Sequence, residues 1–298
     1  MPNVTCTGSV TMPCVARRRW PILLAVAPLL LAPPALSQAR SEPATEPALV
    51  IENGANEQRF TIDQLLRRPD TVTLNVTGDV YHHAVTYRGV PLLAILGNDT
   101  DPQFDTIEAE ARDGFVSQLS LALIRRGASG GSVAYIAIED PAHPWPRLPQ
   151  GTGTAGPFYL IWESPERSAI TREQWPYQLS RLTFVESPVH RWTQLAVPAA
   201  IAADAPARHG QEVFVVQCLP CHRLKGGGAS DTGPDLGQPM NPTQYLTDAG
   251  LRAIIRNPQA VRTWPGQQMI GFGKAIISDD DLDALVAYLH TMAMPTAH

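Results

Sequence analysis

The stretch VVQCLPCHRLKGGG, residues 215–228, places two cysteines three positions apart and a histidine directly after the second. The chain holds four cysteines, and the other two, Cys6 and Cys14, lie close to its start. A Cys-x-x-Cys-His motif is the attachment signature of c-type haem, in which both thiols bond the porphyrin and the histidine binds the iron. We therefore predict that Cys218, Cys221 and His222 hold one covalent haem c.

Two other sites also use a Cys-x-x-Cys pair, namely a redox disulfide and half of a zinc site. A zinc site needs further ligands, and only His290 and His298, with no cysteine, follow the motif. A thioredoxin-like disulfide belongs in a βαβ frame, whereas the apolar pattern around this motif is helical. Haem attachment is the interpretation that fits the flanking sequence.

Helices are predicted on both sides of the motif. An apolar helix starting near Arg208 leads into it. Near the carboxyl end, Ser278 stands as an N-cap with Asp281 three residues later, a capping box with acidic charge at the positive helix end. The apolar residues that follow recur at helical spacing and predict one buried face: Leu282, Leu285, Val286 and Leu289. Between these helices, residues 243–258 predict one short helix.

The residues from Pro206 to the carboxyl end resemble a class I cytochrome c domain, which implies an all-α fold. In that family a glycine and an aromatic residue of the first helix pack against an aromatic residue of the last. The matching positions here are Gly210, Phe214 and Tyr288. The family's loop proline, whose carbonyl accepts the Nδ1 proton of the proximal histidine, matches Pro234.

The same resemblance implies a loop methionine as the second axial ligand. Met269 matches that place, and Met240 is the alternative. A polarizable thioether stabilises ferrous iron and raises the reduction potential. The predicted metal ligands are His222 and Met269, and the full cofactor-binding set is Cys218, Cys221, His222, Met269 and Pro234.

The amino terminus has the pattern of a secretory signal. Three arginines at 17–19 precede an apolar run, and Ala35-Leu36-Ser37 gives a small-x-small cleavage site. We predict a signal peptide over residues 1–37, with a true start at Met1 or Met12, export to the periplasm and loss of both early cysteines on cleavage. An uncleaved anchor is the alternative, but two prolines interrupt the run, so no stable membrane span is expected.

The charge balance argues against nucleic acid as a partner. The formal net charge is -5, and it becomes -8 without the first 37 residues, which carry three arginines and no acid. Only two lysines, Lys225 and Lys274, occur in the sequence. Nucleic-acid binding normally requires a basic face.

The amino-terminal half predicts an α+β domain with mixed sheets over residues 42–196. Strands are indicated by β-branched runs such as 71–76 and 132–138, with a turn at Asp113-Gly114. Short helices are predicted over residues 61–68, with Thr61 or a neighbouring residue as the cap, and from Pro91, as first helical residue, to a stop at Gly97. An Ala- and Pro-rich linker at 197–206 then leads to the cytochrome domain at 207–298.

Residues 70–97, DTVTLNVTGDVYHHAVTYRGVPLLAILG, resemble a segment of the sulfite oxidase-type molybdopterin domain. In that family a strand ends in Cys-x-Gly-Asn, and the cysteine binds molybdenum. This chain has Val76-Thr77-Gly78-Asp79 instead, and valine has no lone pair for a metal, so molybdopterin is not expected.

Four polar residues near this segment could still hold a metal-free pterin or be ordinary surface groups: His82, His83, Arg88 and Arg112. The two histidines are adjacent, and neighbours on a strand point to opposite faces. We therefore expect no shared metal ion at this pair.

Two functions follow from these features. The first is a periplasmic electron carrier whose amino-terminal domain docks a redox partner, such as a molybdenum dehydrogenase or a terminal oxidase. The alternative is a pterin-dependent oxidoreductase that acts on sulfite or a similar small substrate and passes electrons to its own haem. Val76 favours the electron carrier over the enzyme.

Overall fold

The computed structural model describes residues 46–97, 101–149 and 152–294. All described residues belong to one compact unit, Thr45–His298. The predicted signal peptide, with Cys6 and Cys14, lies outside the described residues, as does His298.

In the described ranges, nine strands form two sheets. The strands are β1 (Ala48–Asn53), β2 (Asn56–Thr61), β3 (Val72–Thr77), β4 (Ala84–Pro91), β5 (Thr106–Ala111), β6 (Val116–Ser120), β7 (Val133–Ile138), β8 (Phe158–Glu163) and β9 (Leu179–Val185). One sheet has the order β2-β1-β9-β5-β6 and the other β3-β4-β7-β8. Only the β1–β9 pair is parallel, so the first sheet is mixed, as predicted, and the second is antiparallel.

Three short α-helices connect these strands: α1 (Ile62–Leu66), α2 (Leu92–Leu96) and α3 (Leu121–Arg125). A fourth, α4 (Pro188–Arg191), follows β9. Thr61 caps α1, as predicted, because its hydroxyl accepts the Gln64 N–H. Gly97 ends α2 with φ 71°, a conformation that favours glycine. The prediction that Pro91 is the first helical residue is wrong, since Pro91 ends β4 and occupies the N-cap position.

The sheet region is built around a large buried core. β8 is buried along nearly its whole length, while β4 of the same sheet alternates between buried and exposed positions. The largest fully buried side chains in this core are aromatic: Tyr87, Phe158, Tyr159 and Trp162.

The carboxyl-terminal region is helical. Its helices are α5 (Pro206–Gln217), α6 (Asp248–Arg256), α7 (Pro258–Val261) and α8 (Asp279–Ala293). The short helix predicted over 243–258 is present as α6, but it begins only at Asp248, after the Thr247 cap, and it ends before Pro258, which disfavours helical backbone at Asn257. Helix α5 starts two residues before the predicted Arg208, since proline suits the first helical turn. Along the described chain, no helix is long and apolar enough to cross a membrane.

Helices α5 and α8 cross at close range. A Cβ on Gly210 would stand 1.9 Å from the Ala284 carbonyl oxygen, so only glycine fits at the crossing. The rings of Phe214 and Tyr288 pack with centroids 5.3 Å apart. The packing that the family resemblance implied for these positions is therefore confirmed. The Tyr288 hydroxyl also donates a 2.7 Å hydrogen bond to the Leu195 carbonyl.

The segment predicted as a linker packs against α5. Val197 is buried, and its N–H donates to Gln211 Oε1 at 2.7 Å. The Arg208 guanidinium donates to the carbonyls of Ile201 at 2.5 Å and Ala202 at 2.9 Å. These bonds hold the segment in place, and the boundaries between domains stay a prediction.

Candidate functional site

The Cys-x-x-Cys-His motif forms a single turn directly after α5. The N–H groups of Cys221 and His222 both donate to the Cys218 carbonyl, at 3.1 and 2.8 Å. Side chains at spacing i, i+3 and i+4 share one face of such a turn. The helix ends before the motif because Pro220 has no N–H and cannot continue the helical ladder.

The imidazole of His222 has one defined tautomer. Its Nδ1 lies 2.8 Å from the Pro234 carbonyl oxygen, which can only accept, so Nδ1 carries the proton. Burial lowers the pKa of His222, and the Pro234 carbonyl opposes that effect. The ring is therefore neutral with its lone pair on Nε2, which is the form that binds a metal.

The loop that carries Pro234 is bonded to the motif. The Gly233 N–H donates to the Cys221 carbonyl and the Leu236 N–H to the Arg223 carbonyl, each at 2.7 Å. The Asp235 carboxylate accepts hydrogen bonds from the backbone N–H groups of Lys225 and Gly226, which precede it in the chain, and of Gly237, which follows it. The loop therefore presents its carbonyl to His222 from a fixed position.

Gly233 leaves room for the ring. A Cβ at this position would stand 2.6 Å from His222 Cε1 and 2.7 Å from Nδ1. The residues present fit a haem, because an oriented imidazole and two thiols share one turn, and any other residue at Gly233 would displace the ring.

The two thiols are held in a poorly solvated place. Burial raises the pKa of Cys218 well above its usual value, and the Glu173 charge adds to the effect. Burial likewise raises the pKa of Cys221 to about 12, with smaller contributions from Glu173 and Asp113. Redox exchange requires a thiolate, so the raised pKa values argue against a redox disulfide at this pair.

Met269 lies between α7 and α8 and is partly buried, and its carbonyl accepts Gln259 Nε2 at 3.0 Å. Met240 is more open, with 47% of its surface exposed. Other large exposed apolar side chains on the same part of the chain are Tyr245, Val261 and Trp264. The choice of axial methionine stays a prediction.

The sheet region contacts the motif directly. The Val116 N–H at the start of β6 donates to the carbonyl of Pro220, between the two cysteines, at 3.1 Å. The Ser230 hydroxyl donates to the Gly114 carbonyl at 2.9 Å. Gln217, the residue before Cys218, donates from Nε2 to the Thr171 hydroxyl at 2.8 Å.

Glu173 belongs to this contact region, although nothing in the sequence signals it. It lies in the 3₁₀ turn Arg172–Gln174, where the Thr171 and Gln174 pattern is typical of an exposed capping box. Its side chain is 6% exposed, and burial raises its pKa to about 7, opposed by the Arg172 charge and supported by that of Asp79. Burial of this carboxyl arises from long-range packing against the motif.

The place of the molybdenum-binding cysteine is part of the apolar core. Val76 is buried and pairs with Val85 across β3 and β4. Two residues on, a Cβ at Gly78 would stand 3.0 Å from the Tyr159 hydroxyl and 3.6 Å from the Trp175 ring. Aromatic side chains therefore fill the space beside this strand end.

The four polar residues near this segment do not form one site. His82 and His83 lie in a turn, where His82 has φ 55°, so the prediction that they lie on a strand is wrong. His83 Nδ1 contacts the Tyr81 carbonyl at 2.7 Å, and Arg88 Nη2 donates to the Leu66 carbonyl at 2.7 Å. The backbone N–H of Arg112 donates to Gln178. Across the described residues, no group of three or more His, Cys, Asp or Glu side chains is arranged to hold a metal ion.

Comparisons with known proteins bear on the carboxyl-terminal region. The cytochrome c family matches residues 207–293, and a comparison with curated proteins finds no match. The crystal structure of the sulfane dehydrogenase SoxCD from Paracoccus pantotrophus is 20% identical over 47% of this chain and 38% of that chain, with a TM-score of 0.32. This chain thus spans well under half the length of that one, and so low a TM-score supports no conclusion. The family match supports a C-terminal cytochrome c domain, which implies a haem c cofactor and redox partners.

Proposed function

We propose that this chain is a periplasmic c-type cytochrome that carries single electrons between redox proteins through one covalently attached haem. The observation that carries the proposal is the geometry of His222, whose Nδ1 is bonded to Pro234 and whose Nε2 is left for iron on the turn that holds both thiols. Haem, when bound, supplies exchange of one electron between the ferric and ferrous states.

The chain's own residues attach the haem and provide the ligands to its iron. Cys218 and Cys221 fix the macrocycle through thioether bonds, and His222 supplies one axial ligand. Met269 is proposed as the other, with Met240 as its alternative. A neutral imidazole and a thioether add no charge to the iron, which favours the reduced state and a potential suited to accepting electrons.

We propose that the sheet region is a sulfite oxidase-like domain that works as a docking module without molybdopterin. The resemblance of residues 70–97 supports the fold, and the buried Val76 in the place of the metal-binding cysteine supports the absence of molybdenum. Electron-transfer contacts are small and transient, so a module that holds the partner raises its local concentration. A molybdenum dehydrogenase or a terminal oxidase is the kind of partner that such a module would hold.

The periplasmic location is proposed from the amino-terminal sequence. The arginines at 17–19, the apolar run and the cleavage site before Gln38 together form a secretory signal. Export also agrees with haem attachment, because c-type haem proteins of this kind mature outside the cytoplasm.

The test is elemental analysis of the protein expressed in a host that attaches haem and synthesises molybdopterin. We expect one iron and no molybdenum per chain, with reversible one-electron reduction. His222→Ala should abolish the native haem spectrum and the redox exchange, because the iron loses its proximal ligand. His290→Ala is the matched control, since His290 is exposed and its Nε2 contacts Asp248 at 2.7 Å.

Two outcomes would contradict the proposal. A native haem spectrum and redox rate in His222→Ala would remove its foundation. Stoichiometric molybdenum in the wild-type protein would show that Val76 does not prevent cofactor binding, and the chain would then have to be assayed as an oxidoreductase with sulfite.

A further inference from the structure

Glu173 lies at the junction between the sheet region and the haem-attachment turn. Its side chain is 6% exposed, and its Oε1 has no hydrogen-bond partner among the described residues. Two residues before Glu173, the Thr171 hydroxyl accepts a hydrogen bond from Nε2 of Gln217, which is the residue directly before Cys218. This bond fixes the turn that carries Glu173 to the turn that carries the thiols.

The charges that face Glu173 neutralise it incompletely. Arg172 Nε lies 3.6 Å from Glu173 Oε1, but it also lies 3.5 Å from Asp79 Oδ2, so one cation serves two carboxylates. Tyr177 also interacts with Glu173 and with Asp113.

From the side of the motif, the thiols of Cys218 and Cys221 interact with the charge of Glu173, which raises the pKa of both. Once they are bonded to haem they are thioethers and no longer titrate. A haem bonded to these thiols would be the group near Glu173 whose charge changes during electron transfer.

We propose that Glu173 is a redox-linked proton acceptor, taking up one proton from solvent when the haem iron accepts one electron from its redox partner. This inference rests on the proposed electron-transfer function. Iron changes from ferric to ferrous, the carboxylate becomes a carboxylic acid, and the charge added by the electron is balanced by the proton.

The physical reason is mutual repulsion in a poorly solvated place. Reduction lowers the positive charge at the iron, which disfavours a nearby carboxylate and raises its affinity for a proton. Burial already brings the pKa of Glu173 to about 7. The group therefore changes its protonation state near neutral pH.

The direction of the pH dependence follows from this coupling. At acid pH Glu173 is protonated in both redox states, and the potential is high and constant. As the pH rises through the interval between the two pKa values, reduction requires proton uptake and the potential falls, by at most about 59 mV per pH unit for one proton per electron. At alkaline pH the carboxylate is charged in both states, and the potential is low and constant.

The experiment is spectroelectrochemical titration of the holoprotein across a series of pH values on both sides of neutrality. We expect the wild-type potential to fall across neutral pH. Glu173→Gln should remove that fall and give a potential above the wild-type value at the alkaline end. Glu173→Asp, which keeps the carboxyl, should restore the dependence.

Glu166→Gln is the matched control. Glu166 is an exposed acid in the neighbouring 3₁₀ turn Pro165–Ser168, so its loss changes the net charge equally without changing a buried group. This variant should keep the wild-type curve. An unchanged fall in Glu173→Gln, with its haem spectrum intact, would overturn the inference.

Thermal unfolding of the same variants gives a second readout. Because the pKa of Glu173 is raised from 4.5 to about 7 in the folded protein, the wild type should lose stability as the pH rises through that interval. Glu173→Gln should not show this loss, and an identical profile in both proteins would count against a titrating Glu173. Failure of the wild type to take up or reduce haem would instead overturn the proposed function.

Discussion

His222 is oriented by residues that follow it in the chain. The Pro234 carbonyl accepts a hydrogen bond from Nδ1, and Gly233 leaves the space that the ring occupies. Such a bond to the outer nitrogen of a ligating histidine fixes the tautomer and increases the basicity of the inner one. The loop residues 233–234 are therefore as much a part of the site as the motif itself.

Replacement of Met269 by alanine tests the second axial ligand. We expect the weak sulfur-to-iron absorption band of the ferric protein to disappear, because the thioether is lost. The potential should fall by on the order of 100 mV, within the span of about 0.8 V that axial ligands control. Both are measured on the purified holoprotein by absorbance and redox titration.

Met240→Ala serves as the control for Met269→Ala, since Met240 is the more exposed of the two methionines. It should leave the band and the potential unchanged. The reverse result, with the band lost in Met240→Ala and kept in Met269→Ala, would show that Met240 binds the iron.

The sequence predicts the residues of the motif and not those packed against it. Cys218, Cys221 and His222 are recognisable because their spacing is short and carries the chemistry by itself. Glu173 has no such spacing, since it lies forty-five residues before Cys218 and becomes buried only when two regions of the chain meet. Contacts of this length leave no local pattern.

At the scale of elements, the crossing of α5 and α8 supports the site. The motif follows α5 directly, so the position of α5 on α8 sets the position of the thiols. The crossing depends on Gly210, which brings the α5 backbone against the Ala284 carbonyl. A change at Gly210 should therefore affect both the helices and the haem.

Gly210→Ala should destabilise the protein although alanine is the better helix former. The added Cβ would stand 1.9 Å from backbone, and overpacking of this kind costs about 1–3 kcal/mol or more. This exceeds the gain of about 1 kcal/mol from helix propensity. Chemical denaturation followed by haem absorbance measures the change.

Gly250→Ala is the control for the crossing, because Gly250 also lies in a helix but its nearest neighbour is the side chain of Thr247 at 3.3 Å. This variant should be neutral or mildly stabilising. Equal destabilisation by both substitutions would contradict the role assigned to Gly210.

Helices whose capping residues lie close together in the sequence were predictable. Ser278 and Asp281 form the capping box of α8, as predicted, because both partners lie within one turn of each other. Helix α7 was not predicted, because it is only four residues long and depends on Asn257 as a cap as well as on Pro258. The turn at His82 was missed because a positive φ at a histidine has no sequence signal.

At the scale of the whole described chain, the sheet region and the helical region each have a hydrophobic core. Leu195 belongs to the core of the helical region, although it precedes the predicted linker. Hydrogen bonds from Val116, Gln217 and Ser230 join the sheet region to the motif and its loop. We expect the two regions to stabilise each other.

Unfolding should therefore be a single transition. Haem absorbance reports the motif, and fluorescence of Trp145, Trp162 and Trp175 reports the sheet core, where all three are buried. The two signals should change at the same denaturant concentration, as cooperative unfolding requires. Two separate midpoints would show instead that the sheet region is an independent module.

Ser230→Ala tests the same coupling by removing one hydrogen bond between the two regions. Ser230 is buried, and its loss leaves the Gly114 carbonyl without that donor, a cost of about 1 kcal/mol. Both midpoints should fall together. Ser129→Ala, which removes an exposed hydroxyl that bonds Arg126 within the sheet region, should change neither.

The hydrogen bond between Val116 and Pro220 links folding of the sheet region to haem attachment. Pro220 lies between the two cysteines, and β6 comes before them in the order of synthesis. Once β6 has bonded to the motif, the thiols are partly buried and the pKa of both is raised, so they react less readily with a haem. Haem should therefore be attached before the sheet region folds. A sheet with many long-range strand pairs forms slowly, which leaves time for the attachment.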